Sequence, residues 1–198
     1  PHVNRVSSYA VEIYDRWAFN NSIDENESKK FRDTLKIAAM LHDVGKVAIS
    51  DLILKKPARF TEEEYLIMQG HTWLGAKLFN EIESPVDRVA REVALTHHEN
   101  WDGTGYPGHV VVDTGEPIKV DSETGKAIGL KGREIPIAGR IVALADVYDA
   151  LSCKRVYKEP WNEENVLEEI RKMSGNKFDP EVVSAFFEIL PSIQSIKE

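Results

Sequence analysis

The feature that most constrains this chain is an apolar repeat at three- and four-residue steps, interrupted at intervals by Gly and Pro. Val3, Val6, Ala10, Ile13 and Trp17 fall on one face of a helix. Residues 20–27 are polar and read as a loop. Phe31, Leu35, Ala38 and Leu41 make a second stripe, which ends at His42-Asp43 before Gly45 breaks it. Thr61-Glu62-Glu63-Glu64 has the form of a capping box and opens a helix through Tyr65 and Met68. Gly70 bends or divides that helix ahead of Leu74 and Leu78. Ser84-Pro85 is an N-cap followed by Pro at the first helical position, and Val86, Val89, Ala90, Val93 and Ala94 lead from it to His97-His98. Pro136 opens a helix whose buried side is Ile137, Ile141, Leu144, Ala145, Tyr148 and Leu151. Trp161-Asn162 starts another that Gly175 stops, and Asp179-Pro180 starts the last, through Val183, Phe186 and Ile189. The pattern predicts an all-α bundle of about seven helices.

Residues 101–132 break the pattern, being rich in Gly, Pro, Asp and Thr. Val110-Val111-Val112 and Ile118-Lys119-Val120 flank Asp113-Thr114-Gly115, so a small β-hairpin is expected near 109–128. No repeat, low-complexity tract or linker divides the 198 residues, which predicts a single domain over 1–198. The start, Pro1-His2-Val3-Asn4, has no Met and no charged-then-apolar leader pattern. It reads as a processed chain or a piece of a longer one.

Composition removes several classes of function. With 42% hydrophobic and 29% charged residues the chain is of ordinary globular make-up. A net charge of −8 argues against holding a nucleic-acid polymer by bulk charge, although a small phosphate ligand fits where cations cluster, as at Lys154, Arg155 and Lys158. One cysteine, Cys153, allows no internal disulfide and fits a reducing, cytoplasmic setting. No apolar run reaches the ~18 residues of a membrane helix, so no membrane contact is expected from this segment.

Six histidines and two aspartates carry the chemistry. His97-His98 and His42-Asp43 are adjacent pairs of ligand types, His71 stands near a helix break, and Asp146 interrupts an apolar helical run. Taken singly, each has an ordinary reading: His71 as a core or capping histidine, Asp146 as a helix-surface residue, His109 as solvent-exposed. Lys46, Arg155 and Lys158 are by default surface charges. Together they say more, because a buried carboxylate is costly unless paired or bound to a cation. Mixed imidazole and carboxylate donors suit iron, manganese, nickel or zinc better than calcium or magnesium. A carboxylate can bridge two cations, which gives Asp43 beside His42 a place in a two-metal site.

Leu41-His42-Asp43-Val44-Gly45-Lys46 resembles the HD signature of metal-dependent phosphohydrolases. His97-His98-Glu99-Asn100-Trp101-Asp102-Gly103-Thr104-Gly105-Tyr106-Pro107 is similar to the HHExxDGxGYP signature of the HD-GYP subfamily. Gly129-Leu130-Lys131-Gly132, Ile135-Pro136, Arg140-Ile141-Val142, Asp146-Val147-Tyr148-Asp149-Ala150-Leu151, Arg155, Tyr157-Lys158 and Phe178-Asp179-Pro180 follow in the family's order, so the resemblance spans nearly the whole chain. It implies an HD-type helical bundle and a bacterial enzyme of signal transduction. The implied reaction is hydrolysis of cyclic di-GMP to pGpG and on to GMP, by hydroxide activated on two or three divalent transition-metal ions, iron or manganese. By position, His42, Asp43, Asp146 and His2 bind one metal. Asp43 bridges to a second, held by His71, His97 and His98. Lys46 faces the scissile phosphate and shares the catalytic role with Asp43. Arg155 and Lys158 grip the ligand phosphates, and Tyr106 lies in the loop beside the substrate. The resemblance further implies an upstream sensory or receiver domain and contact with GGDEF-type cyclase domains, and it allows a homodimer.

Three departures stand out. Family members with a third ion carry a Glu four residues before the first His, a position ahead of Pro1. Residues 109–128 separate GYP from the Gly-Leu-x-Gly segment that usually follows it closely. Ser50 replaces a usual Pro. Rival readings are a 3′,3′-cyclic GMP-AMP phosphodiesterase on the same centre, a catalytically silent receptor of the nucleotide, and a generic HD nucleotidase. The intact ligand set argues against the second, and the GYP segment with Arg155 and Lys158 against the third.

Overall fold

A computed structural model describes residues 1–153 and 159–197. Its helices are α1 (His2–Asn20), α2 (Glu25–Met40), α3 (Asp51–Leu54), α4 (Glu62–Gln69), α5 (His71–Lys77), α6 (Pro85–Thr96), α7 (Ile137–Ser152), α8 (Glu163–Met173), α9 (Pro180–Glu188) and α10 (Leu190–Lys197). Two 3-10 turns, Val44–Ala48 and Gly132–Glu134, precede α3 and α7. The all-α expectation holds.

The helix starts follow the capping chemistry of the sequence. Thr61 Oγ1 accepts from the Glu64 amide at 3.2 Å while Glu64 Oε2 accepts from the Thr61 amide at 2.9 Å. Ser84 and Asp87 make the same reciprocal pair at the start of α6. Asn162 and Asp179 cap α8 and α9 through their side chains. Gly70 separates α4 from α5, so the division expected there is real.

The described residues hold ten α-helices rather than about seven. Three physical reasons account for the difference. The single turn α3 is too short to show a period. The stripe that Thr61 opens is split in two at Gly70, so α4 and α5 count separately. Finally, α9 ends at Glu188 and the chain restarts as α10, whose Ile193 is fully buried. The loop expected over 20–27 is also shorter than its polarity suggests, because Asp24 accepts from the amides of Asn26 and Glu27 and starts α2.

The core forms around α7. Ile141, Val142, Leu144, Ala145 and Tyr148 are fully buried, and α7 packs against α1, α6, α8 and α9. Tyr148 meets Tyr9 of α1 and Phe186 of α9 edge-on, at ring separations of 5.1 and 5.2 Å. A helix apolar almost all round is a central helix, and this one carries Asp146 into the interior.

The expected β-hairpin is corrected. Residues 109–128 contain isolated antiparallel bridges, Val110 with Pro117 and Val120 with Ala127, and the described residues include no extended strand. The segment folds as two successive tight turns, one ending at Gly115 and one at Gly125, each glycine in the left-handed region. Pro117 has no N–H to extend a ladder, and the apolar residues that suggested strands, Val111, Ile118 and Val120, are exposed.

Candidate metal centre

Four stretches bring their histidines to one place. His42 and Asp43 follow the end of α2, His71 opens α5, His97 and His98 follow α6, and His2 opens α1 opposite Asp146 of α7. The turn Val44–Ala48 seats on α5 with almost no space between the backbones: a Cβ on Gly45 would overlap the His71 carbonyl and lie 2.5 Å from the Gly75 nitrogen. This close approach sets Asp43 against His71.

Each of three imidazoles is held by its outer nitrogen. Nδ1 of His42 lies 2.7 Å from the Ala39 carbonyl, that of His71 2.6 Å from the Met68 carbonyl, and that of His97 2.9 Å from the Val93 carbonyl. A carbonyl can only accept, so Nδ1 carries the proton and, in the neutral ring, Nε2 is a bare lone pair turned inward. Asp43 faces these lone pairs. Its Oδ1 is 3.3 Å from His71 Nε2 and 3.4 Å from His97 Nε2, and its Oδ2 is 3.4 Å from His42 Nε2. Nε2 of His42, His71 and His97 and Oδ1 of Asp43 are buried without a hydrogen-bond partner.

Such an arrangement is repulsive unless something positive lies within it. Burial lowers the pKa of His97, so its ring is neutral at pH 7. Burial, reinforced by the neighbouring imidazoles of His97 and His71, pushes His98 down to about 2. Burial alone would raise the Asp43 carboxyl, but His42, His71 and His97 hold it well below the usual carboxylate range. His42 is raised against its burial by Asp43 and Asp146, and His2 is raised to about 9 by Asp146 and Asp149, so protons on these two rings offset the carboxylates and a divalent cation would displace them. Two groups each hold their donor atoms within 4.8 Å of one another: Asp43 with His71, His97 and His98, and Asp43 with His2 and His42. Asp43 belongs to both. The residues present therefore fit divalent metal.

Asp146 stands beside the second set, with Oδ1 3.2 Å from His2 Nε2 and 3.7 Å from His42 Nε2. Lys46 Nζ donates to Asp43 Oδ2 at 2.6 Å and lines the same cleft as His2, His98 and Asp146. The Tyr106 ring stacks on His98, 4.9 Å between centroids and 18° between planes. Arg155 and Lys158 lie outside the described residues.

Sequence reasoning assigned no role to Arg5, Asp149 or Glu99. Asp149 is buried and accepts from Arg5 Nε at 2.6 Å and from His2 Nδ1 at 2.6 Å. The available signal was its place three residues after Asp146, on the same face of an apolar helix. Glu99 is buried and accepts from the amides of Gly108 at 2.5 Å and Leu130 at 3.1 Å, joining the two ends of the 109–128 segment.

Comparison with known proteins agrees with this geometry. The sequence matches the HD domain family over residues 2–151, and a second HD domain family over residues 122–182. It is 41% identical over 187 residues to 3′3′-cGAMP-specific phosphodiesterase 2 of Vibrio cholerae, covering 94% of this chain and 30% of that protein. It is 41% identical over 169 residues to the cyclic di-GMP phosphodiesterase of Thermotoga maritima, covering 85% of this chain and 40% of that protein. The chain thus spans well under half the length of these curated relatives. A crystal structure of a cyclic GMP-AMP specific phosphodiesterase from V. cholerae superposes with a TM-score of 0.62 at 19% identity, over 100% of this chain and 46% of that one, a likeness of fold. The chain belongs to the HD domain family, and to its HD-GYP branch.

Proposed function

We propose that this domain is a metal-dependent phosphodiesterase that opens cyclic di-GMP to pGpG and then cleaves pGpG to GMP. The observation that carries the reading is Asp43, whose two oxygens face different imidazoles in a buried cluster. In the proposal His71, His97, His98 and Asp43 hold one ion, and His2, His42, Asp146 and Asp43 hold the other. Iron or manganese suits these nitrogen and oxygen donors. A metal pair supplies Lewis acidity toward the phosphate and lowers the pKa of water to about 7.

The chain's own residues do the rest. The Nδ1 contacts to carbonyls keep the imidazoles from turning as charge develops. Lys46 is positioned to exchange its contact with Asp43 for a non-bridging phosphate oxygen, adding positive charge there. Arg155 and Lys158 are assigned the remaining phosphate on sequence alone, the guanidinium offering a two-pronged donor.

A second reading, 3′,3′-cyclic GMP-AMP as substrate, is favoured by the V. cholerae relative's name. Contact with GGDEF-type proteins, a homodimer, a cytoplasmic location and an upstream sensory or receiver domain belong to the same proposal. No described helix is long and apolar enough to cross a membrane. The test is incubation of protein loaded with Mn, Fe or Ni with each cyclic dinucleotide. Formation of pGpG is expected, and no product with any of these metals rejects the catalytic reading.

A further inference from the structure

A second cavity, of about 550 Å³, lies beyond Tyr106, between α4, α5 and the 109–128 segment. Tyr65, Gln69, Trp73, Tyr106, Pro117 and Lys126 are among its lining residues. Its size is that of a small-molecule site. We infer that this cavity is a subsite for one purine base of the cyclic dinucleotide, with Trp73 and Tyr106 as aromatic walls and Gln69 and Lys126 as polar readers. The inference rests on the proposed substrate class.

Three observations support it. The lining pairs aromatic faces, on which any base can stack, with an amide and an ammonium able to donate to the O6 and N7 acceptors of guanine. The cavity adjoins the metal cluster: the Tyr106 ring that lines it stacks on His98, which lines the cleft with Asp43, Lys46 and Asp146. A phosphate in the cleft and a base in the cavity would lie on either side of that stacked pair. The wall is also built before any ligand arrives. Gly115 seats against the Trp73 indole, where a Cβ would overlap the ring, and Lys77 Nζ donates to the Asp113 carbonyl at 3.0 Å. Asn80 donates to the Asp113 carboxylate, and Glu99 fixes both ends of the segment.

Titration of GMP into the metal-free protein tests this without turnover. Saturable quenching of tryptophan emission is expected, and Trp73→Phe should remove most of it although three other tryptophans remain. In the metal-loaded protein, Lys126→Ala should lower the ratio of kcat/KM for cyclic di-GMP to that for bis(p-nitrophenyl) phosphate, which has no base, by about fivefold. Absent quenching, quenching that survives Trp73→Phe, or an unchanged ratio overturns the subsite. Failure of the wild type to hydrolyse either ester counts instead against the phosphodiesterase reading, and the GMP titration still decides the subsite.

Discussion

His2 Nδ1 lies 2.6 Å from Asp149 Oδ2, and that contact turns His2 Nε2 toward Asp146. The carboxylate also takes Arg5 through both Nε and a terminal nitrogen, at 2.6 and 3.0 Å. Asp149 is therefore a positioning residue for His2. Asp149→Asn should weaken one metal position about 10- to 100-fold while sparing the other. Metal titration followed by calorimetry checks this, and equal loss from both positions would contradict it.

Asp43 is shared between both donor sets. Asp43→Ala should lower metal content at both positions together, with the helical signal by circular dichroism retained. Elemental analysis of the purified variant checks this, and full metal content would show that Asp43 does not bridge.

The seat of Gly45 on α5 leaves no room for a side chain. Gly45→Ala should destabilise the metal-free protein by about 1–3 kcal/mol, the range for overpacking. At about 2–4 °C per kcal/mol for a chain of this size, thermal unfolding reads the loss directly. An unchanged Tm would mean that the turn shifts freely, and Asp43 with it.

Glu99 is the acceptor for the buried amide of Gly108 and the partly buried amide of Leu130. Glu99→Ala leaves both without their partner, at about 1–3 kcal/mol each. Limited proteolysis should then cut within 109–128 faster than in the wild type. Equal cutting rates would show that the segment is held by its contacts with α5 alone.

How much of this was legible in the sequence differs by feature. His42, Asp43, His97, His98 and Asp146 stand out because ligand types interrupt apolar helical stripes, and the structure brings them together with His2 and His71. Asp149 with Arg5 was not legible, since the pair closes between α1 and α7 across 144 residues. The valines at 110–112 suggested a strand, but whether a ladder extends depends on the donor that Pro117 lacks and on burial that these residues do not have. The short helices α3 and α10 carry too few residues to show a period: α3 buries no side chain and is started by the Ser50 cap, whereas α10 is anchored by the buried Ile193.

Anomalous diffraction from crystals grown with manganese tests the central claim most directly. The account predicts two peaks flanking Asp43, one among His71, His97 and His98 and the other among His2, His42 and Asp146. A single peak away from Asp43, or no peak within this cluster, would contradict it.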